Sequence, residues 1–189
     1  MNEKFLGKKR ALQRLSLAQL AFRQAKSLCE HIEKMQLQSH DELASAMMTG
    51  IVVSYMRPFL ESNGLGALPP RYSQFDKCSP YEAIHNTLLE ARHWVYAHRD
   101  LPNSINLAGS NISLDEVSEM TLTLREKNYS IDIKEPYIFK IGLSKFKELF
   151  SFQHERANEE VGNIICSLME DHQVGVGTYK LNKNFVKIS

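Results

Sequence analysis

The stretch LQRLSLAQLAFRQAKSLCEHIEKM, residues 12–35, decides how the rest of the chain is read. Leu12, Leu15, Ala18, Phe22, Ala25, Leu28, Ile32 and Met35 recur at spacings of three and four, which draws one apolar stripe along a helix. A helix of this length with a single apolar face has to cover that face against other helices. The expected fold class is therefore mainly α, with helix-on-helix packing.

Both directions outward from this stretch support a bundle. After the polar break Gln38-Ser39-His40-Asp41 a second stripe runs Leu43, Met47, Ile51, Tyr55 and Phe59. The Arg57-Pro58 step marks its end, because proline disfavours helical geometry in the residue before it. Asn63 to Pro70 carries two glycines and a proline pair and reads as a connector. Ser79-Pro80-Tyr81-Glu82 has a capping serine, a proline suited to the first turn and a glutamate that completes a capping box. From it a third stripe runs Tyr81, Ile84, Leu88, Ala91 and Val95 to His98, and that helix is expected to end near Leu101-Pro102. A fourth helix is expected from about Ser144 to His172, with Phe146, Phe150, Ala157, Val161, Ile164 and Leu168 on one face.

The segment 103–142 gives conflicting signals. Ser113-Leu114-Asp115-Glu116 resembles a capping box, whereas Met120, Leu122 and Leu124 alternate like a strand. A short helix followed by a small two-stranded insertion is the expectation. The chain is thus expected to be one domain, 1–189, with 103–142 inserted between the third and fourth helices. The tail from Val174-Gly175-Val176-Gly177 is expected to fray or add a strand. Its glycines lack the spacing and lysine of a nucleotide loop, so no cofactor is implied.

Composition narrows the function. The 189 residues are 43% hydrophobic and 24% charged, with a formal net charge of +1, as in an ordinary folded chain without the broad positive field of a nucleic-acid-coating protein. The local run Lys8-Lys9-Arg10 with Arg14 reads as a solvated helix face. No window is apolar enough for a membrane span or signal peptide, and Cys29, Cys78 and Cys166 form no CxxC pair, so a cytoplasmic protein without disulfides or zinc is expected.

The chemistry is concentrated in Arg92-His93-Trp94-Val95-Tyr96-Ala97-His98-Arg99-Asp100. Cleavage of RNA by its own 2′-hydroxyl needs a group that exchanges a proton near neutral pH and a fixed cation for the charge that builds on phosphorus. Imidazole and guanidinium meet these needs. Arg92 and His98 are six residues apart, about 120° around an ideal helix and roughly 9 Å along it. They therefore flank a cleft rather than share a face. His98 on an apolar stripe is equally readable as a hydrogen-bonded seam residue, and Arg92 with Glu90 or Asp100 as an ion pair. Trp94 and Tyr96 can stack bases or simply pack. His85, seven residues before Arg92, is expected on the same side of the helix as an RNA contact. A metal site with Glu82 or His93 lacks a third ligand, and no metal is expected. Arg57 reads either as a second phosphate contact or as a cation at a helix C-terminus. His154, Glu155 and Arg156 are expected to face water.

Arg92, the polar His93, four further residues and then His98 resemble the arginine-x4–6-histidine motif of the HEPN superfamily. The ending Ala97-His98-Arg99-Asp100 is similar to the Ala-His-x-Asp ending of several abortive-infection members. The resemblance implies a homodimeric helical bundle that acts as a metal-independent endoribonuclease in toxin–antitoxin, CRISPR or phage-defence settings. By the same resemblance His98 moves the proton, Arg92 contacts the phosphate and His93 positions either group. Tyr96 and Arg99 are expected as RNA contacts, and Asp100 is expected either to orient His98 or to pair with Arg99. An antitoxin or nucleotidyltransferase partner is implied as well, although Asp100 stands where the branch silenced by nucleotidylation has a tyrosine. A catalytically silent HEPN-like module that binds RNA or a partner protein is the alternative.

Overall fold

A computed structural model describes residues 3–38, 41–61, 65–76, 79–92, 104–107, 110–113, 119–124, 129–134, 142–172, 174–175, 177–180 and 186–187. Over these residues the chain is mainly helical. α1 spans Glu3–Lys34, α2 Glu42–Met56, α3 Pro80–Glu90 and α4 Leu143–His172. Two single-turn 3₁₀ segments, Arg57–Phe59 and Pro70–Ser73, follow α2 and precede α3.

α1 and α4 form the long antiparallel pair of the structure. Lys8 ion-pairs with Asp171 at 2.6 Å, Gln19 donates to Asn158 at 3.2 Å and Lys147 ion-pairs with Glu33 at 2.6 Å. As the α1 position advances along the chain its α4 partner recedes by nearly the same number, over about 37 Å of helix at 1.5 Å per residue. The 32 residues of α1 draw most of their stability from the packing of the apolar face rather than from helix propensity.

The core lies where all four helices meet. Phe22, Ala25, Cys29 and Ile32 of α1, Met48, Ile51, Val52 and Tyr55 of α2, Ile84 and Leu88 of α3, and Phe146, Leu149, Phe150 and Ala157 of α4 are all buried in one cluster. The rings interlock: Tyr55 stands 4.8 Å from Phe150 and 5.3 Å from Phe59 between centroids, a spacing at which aromatic pairs add to simple burial. The first two expected stripes hold except at one residue each. Met35 and Leu43 are exposed, while Cys29, Ala44 and Met48 take the central positions.

The ends of the helices have identifiable causes. α1 stops in a Schellman arrangement: Gln36 adopts φ 54°, the Leu37 N–H donates to the Ile32 carbonyl at 3.1 Å and the Gln36 N–H to the Glu33 carbonyl at 3.0 Å. Leu37 then packs against the core, the apolar contact that accompanies this motif. Ser79 caps α3, its hydroxyl accepting from the Tyr81 N–H at 3.3 Å with Pro80 in the first turn. Ala91 and Arg92 continue α3 in a wider π-type turn.

Between α3 and α4 the described backbone is extended. β1, Ser104–Leu107, pairs antiparallel with β2, Ser110–Ser113, and β3, Glu119–Leu124, pairs antiparallel with β4, Tyr129–Lys134, in the register Met120↔Ile133 and Leu122↔Ile131. Ser113, expected to cap a short helix, closes β2 instead; the remainder of that expected helix lies outside the described residues. After α4, β5 (Tyr179–Lys180) pairs with β6 (Val186–Lys187). No described helix is long and apolar enough to cross a membrane.

Candidate functional site

Arg92 is the motif residue that the structure places. It is half-buried in the π-type turn that ends α3, one residue after Ala91, which is fully buried. His93, Tyr96, His98, Arg99 and Asp100 lie outside the described residues.

His85 is placed elsewhere than expected. It is 3% exposed. Its Nδ1 lies 2.9 Å from the Tyr55 hydroxyl, and its ring meets those of Phe59, Phe75 and Tyr55 at centroid distances of 4.8, 5.4 and 5.8 Å. Burial in this aromatic setting pushes the imidazole pKa down to about 4, because the low-dielectric surroundings disfavour the charged ring. An RNA contact requires surface that His85 does not have. The apolar stripe of α3 carries it inward, where it ties α3 to α2.

Arg57 is exposed on the 3₁₀ turn after α2, and it shares a recess with Arg14 of α1 and the Leu65–Gly66 loop. Arg92 does not line that recess. The two arginines expected at one cleft thus have different surroundings among the described residues.

A second recess lies on the α1–α4 seam and was not legible from spacing. Arg23, Lys26, Ser151, His154 and Glu155 surround a cavity of about 260 Å³ over Phe22 and Phe150. Desolvation lowers the pKa of His154, with Arg23 and Lys26 adding to the shift and Glu155 opposing it. The imidazole shares this recess with two cations, and Glu155 cancels part of their positive field. Arg23 and His154 are 131 positions apart in sequence, and only the antiparallel register of the two helices joins them.

Arg156, expected to face water with its neighbours, is half-buried instead. Its guanidinium lies 5.1 Å from the Tyr72 ring centroid and donates to the Arg71 carbonyl at 2.7 Å. Gln153, fully buried, donates to the Tyr72 carbonyl at 2.8 Å and accepts from Arg156 at 3.3 Å. These bonds hold the second 3₁₀ segment onto α4. The Lys8-Lys9-Arg10 run is likewise not a plain solvated face: Lys8 is bonded to Ser167 and Asp171, and Lys9 is 5% exposed.

Among the described residues no group of three or more His, Cys, Asp or Glu side chains is placed to hold a metal ion. The fold and these recesses define a mainly helical protein with half-buried cationic sites at its helix ends and seams. Comparison with protein-family models, with curated proteins and with solved structures gives no match.

Proposed function

We propose that the chain is an endoribonuclease of the HEPN kind, acting without a metal ion on RNA. The observation that carries the reading is the run Arg92-His93-Trp94-Val95-Tyr96-Ala97-His98, which follows α3 in the sequence of a mainly helical chain. In this reading His98 exchanges the proton that moves between the RNA 2′-hydroxyl and the leaving 5′-oxygen. Arg92 holds the non-bridging oxygens as negative charge grows on them, and His93 positions either group. The bond formed is from the 2′-oxygen to phosphorus, and the bond broken is from phosphorus to the 5′-oxygen. The product carries a 2′,3′-cyclic phosphate.

The reading includes a homodimer, since a two-fold axis beside the motif brings two copies of Arg92 and His98 to one cleft. Tyr96 and Arg99 touch the RNA, and Asp100 orients the His98 ring. The strands between α3 and α4 form an insertion into the helical framework. A toxin or phage-defence role follows from the chemistry, because unrestrained RNA cleavage halts growth, and it brings with it an antitoxin or nucleotidyltransferase partner in the cytoplasm.

His98→Ala tests this. The expected result is loss of RNA cleavage and of growth toxicity in a protein that keeps its dimeric mass in solution, with wild-type cleavage persisting in excess chelator. Cleavage retained by His98→Ala overturns the assignment. A variant that dissociates, from a wild type that never cleaves RNA, makes His98 a bundle residue.

A further inference from the structure

The recess on the α1–α4 seam gathers three nitrogen-bearing side chains from two helices. Arg23 and Lys26 are three residues apart on α1, and Ser151, His154 and Glu155 lie at spacings of three and four on α4, so each set shares one helix face. The two sets meet over the buried Phe22 and Phe150, around a cavity of about 260 Å³. Lys26, Ser151 and His154 are half-buried, whereas Arg23 and Glu155 are exposed.

Contacts on both sides hold this arrangement. One turn from Arg23 and His154, Gln19 donates to Asn158 at 3.2 Å; two turns from Lys26 and His154 in the other direction, Lys147 pairs with Glu33 at 2.6 Å. The register that joins the recess side chains is therefore set without a ligand, and little backbone ordering accompanies binding.

The charges select the ligand. Around the His154 ring, α1 contributes Arg23 and Lys26, and α4 contributes Glu155. Burial and Arg23 act on the ring more strongly than Glu155 does, so the imidazole sits uncharged in a net positive field. With the ring neutral, the recess side chains carry one net positive charge, and with the ring protonated they carry two. A phosphate group carries nearly two negative charges near neutral pH, since its second pKa is about 6. It matches the protonated recess, whereas a carboxylate or chloride matches the neutral one. We infer that this recess is a phosphate-binding site, in which Lys26 and His154 hold the oxygens from the half-buried side and Arg23 from the exposed side. A dianion beside the imidazole favours the charged ring, so binding draws a proton onto His154. The site is independent of the cleavage chemistry at Arg92 and His98.

The test is calorimetric titration of the full chain with inorganic phosphate at constant ionic strength, in two buffers of different ionisation enthalpy. Wild-type protein is expected to bind saturably and to take up more protons than His154→Gln, which should bind at least fivefold more weakly. Protons exchanged by phosphate itself are common to both proteins, so the difference belongs to His154. Arg23→Gln, at an exposed position that should not disturb folding, is expected to weaken binding at least fivefold. Glu155→Gln, also exposed, removes the acid of the recess and should strengthen it. Absence of saturable binding, equal affinity in wild type and Arg23→Gln, or equal proton uptake in wild type and His154→Gln overturns the site. Acetate bound as tightly as phosphate overturns the choice of ligand. Competition then identifies the source: displacement of phosphate by glycerol 3-phosphate assigns an esterified phosphate, and failure to displace it assigns free phosphate.

Discussion

The Tyr55 hydroxyl and the His85 Nδ1 lie 2.9 Å apart inside the bundle, joining α2 to α3 by one buried hydrogen bond. Their environment makes the pair a pH-dependent element of stability. Burial holds the His85 pKa at about 4 in the folded chain, against the ordinary imidazole value of 6.5. The unfolded chain therefore binds more protons between these values, and stability must rise with pH across that window. It is fully present above about 6.5 and is lost as pH falls toward 4. Urea unfolding at pH 7.5 and 4.5 is expected to show a loss of about 2 kcal/mol attributable to His85. In His85→Gln the same interval should show a correspondingly smaller loss; an unchanged pH slope would refute the assignment.

Gln153 should be hard to replace. Gln153→Leu leaves the buried Tyr72 carbonyl without its 2.8 Å donor and removes an acceptor from Arg156. Loss of such bonds costs about 1–3 kcal/mol, which lowers Tm by a few degrees to about 10 °C in a chain of this size. Differential scanning calorimetry measures it, and a variant as stable as wild type would show that the 3₁₀ segment at Pro70–Ser73 is held by other contacts.

Gly50 marks a close approach of α1 and α2, since a Cβ there would stand 3.0 Å from Leu28 Cδ1. The clashing atom is the tip of a flexible side chain. Alanine gains about 1 kcal/mol of helix propensity and spends most of it moving Leu28, so Gly50→Ala should change stability by less than about 1 kcal/mol. Gly50→Val adds branching at Cβ that Leu28 cannot clear, and it should cost about 1–3 kcal/mol in urea unfolding. Equal stability of the Val variant and wild type would mean that the helices separate freely.

The described cysteines should differ sharply in reactivity. Cys29 is fully buried and its pKa is pushed up to about 12, chiefly by burial, whereas Cys166 is exposed. At pH 8 only ~10⁻⁴ of Cys29 is thiolate, and the thiolate is the nucleophile. Iodoacetamide followed by peptide mass mapping should label Cys166 in the native protein and Cys29 only after urea. Rapid native labelling of Cys29 would show that the core opens readily.

The sequence by itself determined the helical frame, because a 3.6-residue apolar period leaves only one efficient way to remove a long stripe from water. The stripes through Phe22, Ile51, Leu88 and Phe150 locate the elements, and Ser79-Pro80 marks where α3 starts. Spacing also singled out Arg92 and His98 as chemically matched groups, which is a statement about residue types and needs no coordinates. Tertiary structure decided what periodicity cannot carry: which α1 residue meets which α4 residue, and so the meeting of Arg23 with His154 and of Arg14 with Arg57. It also decided that His85 is a buried partner of Tyr55 rather than a surface contact. A helix period states which side a residue occupies. Whether that side meets solvent, a ring or a carbonyl depends on the neighbouring element, and that neighbour is supplied by packing between segments distant in sequence.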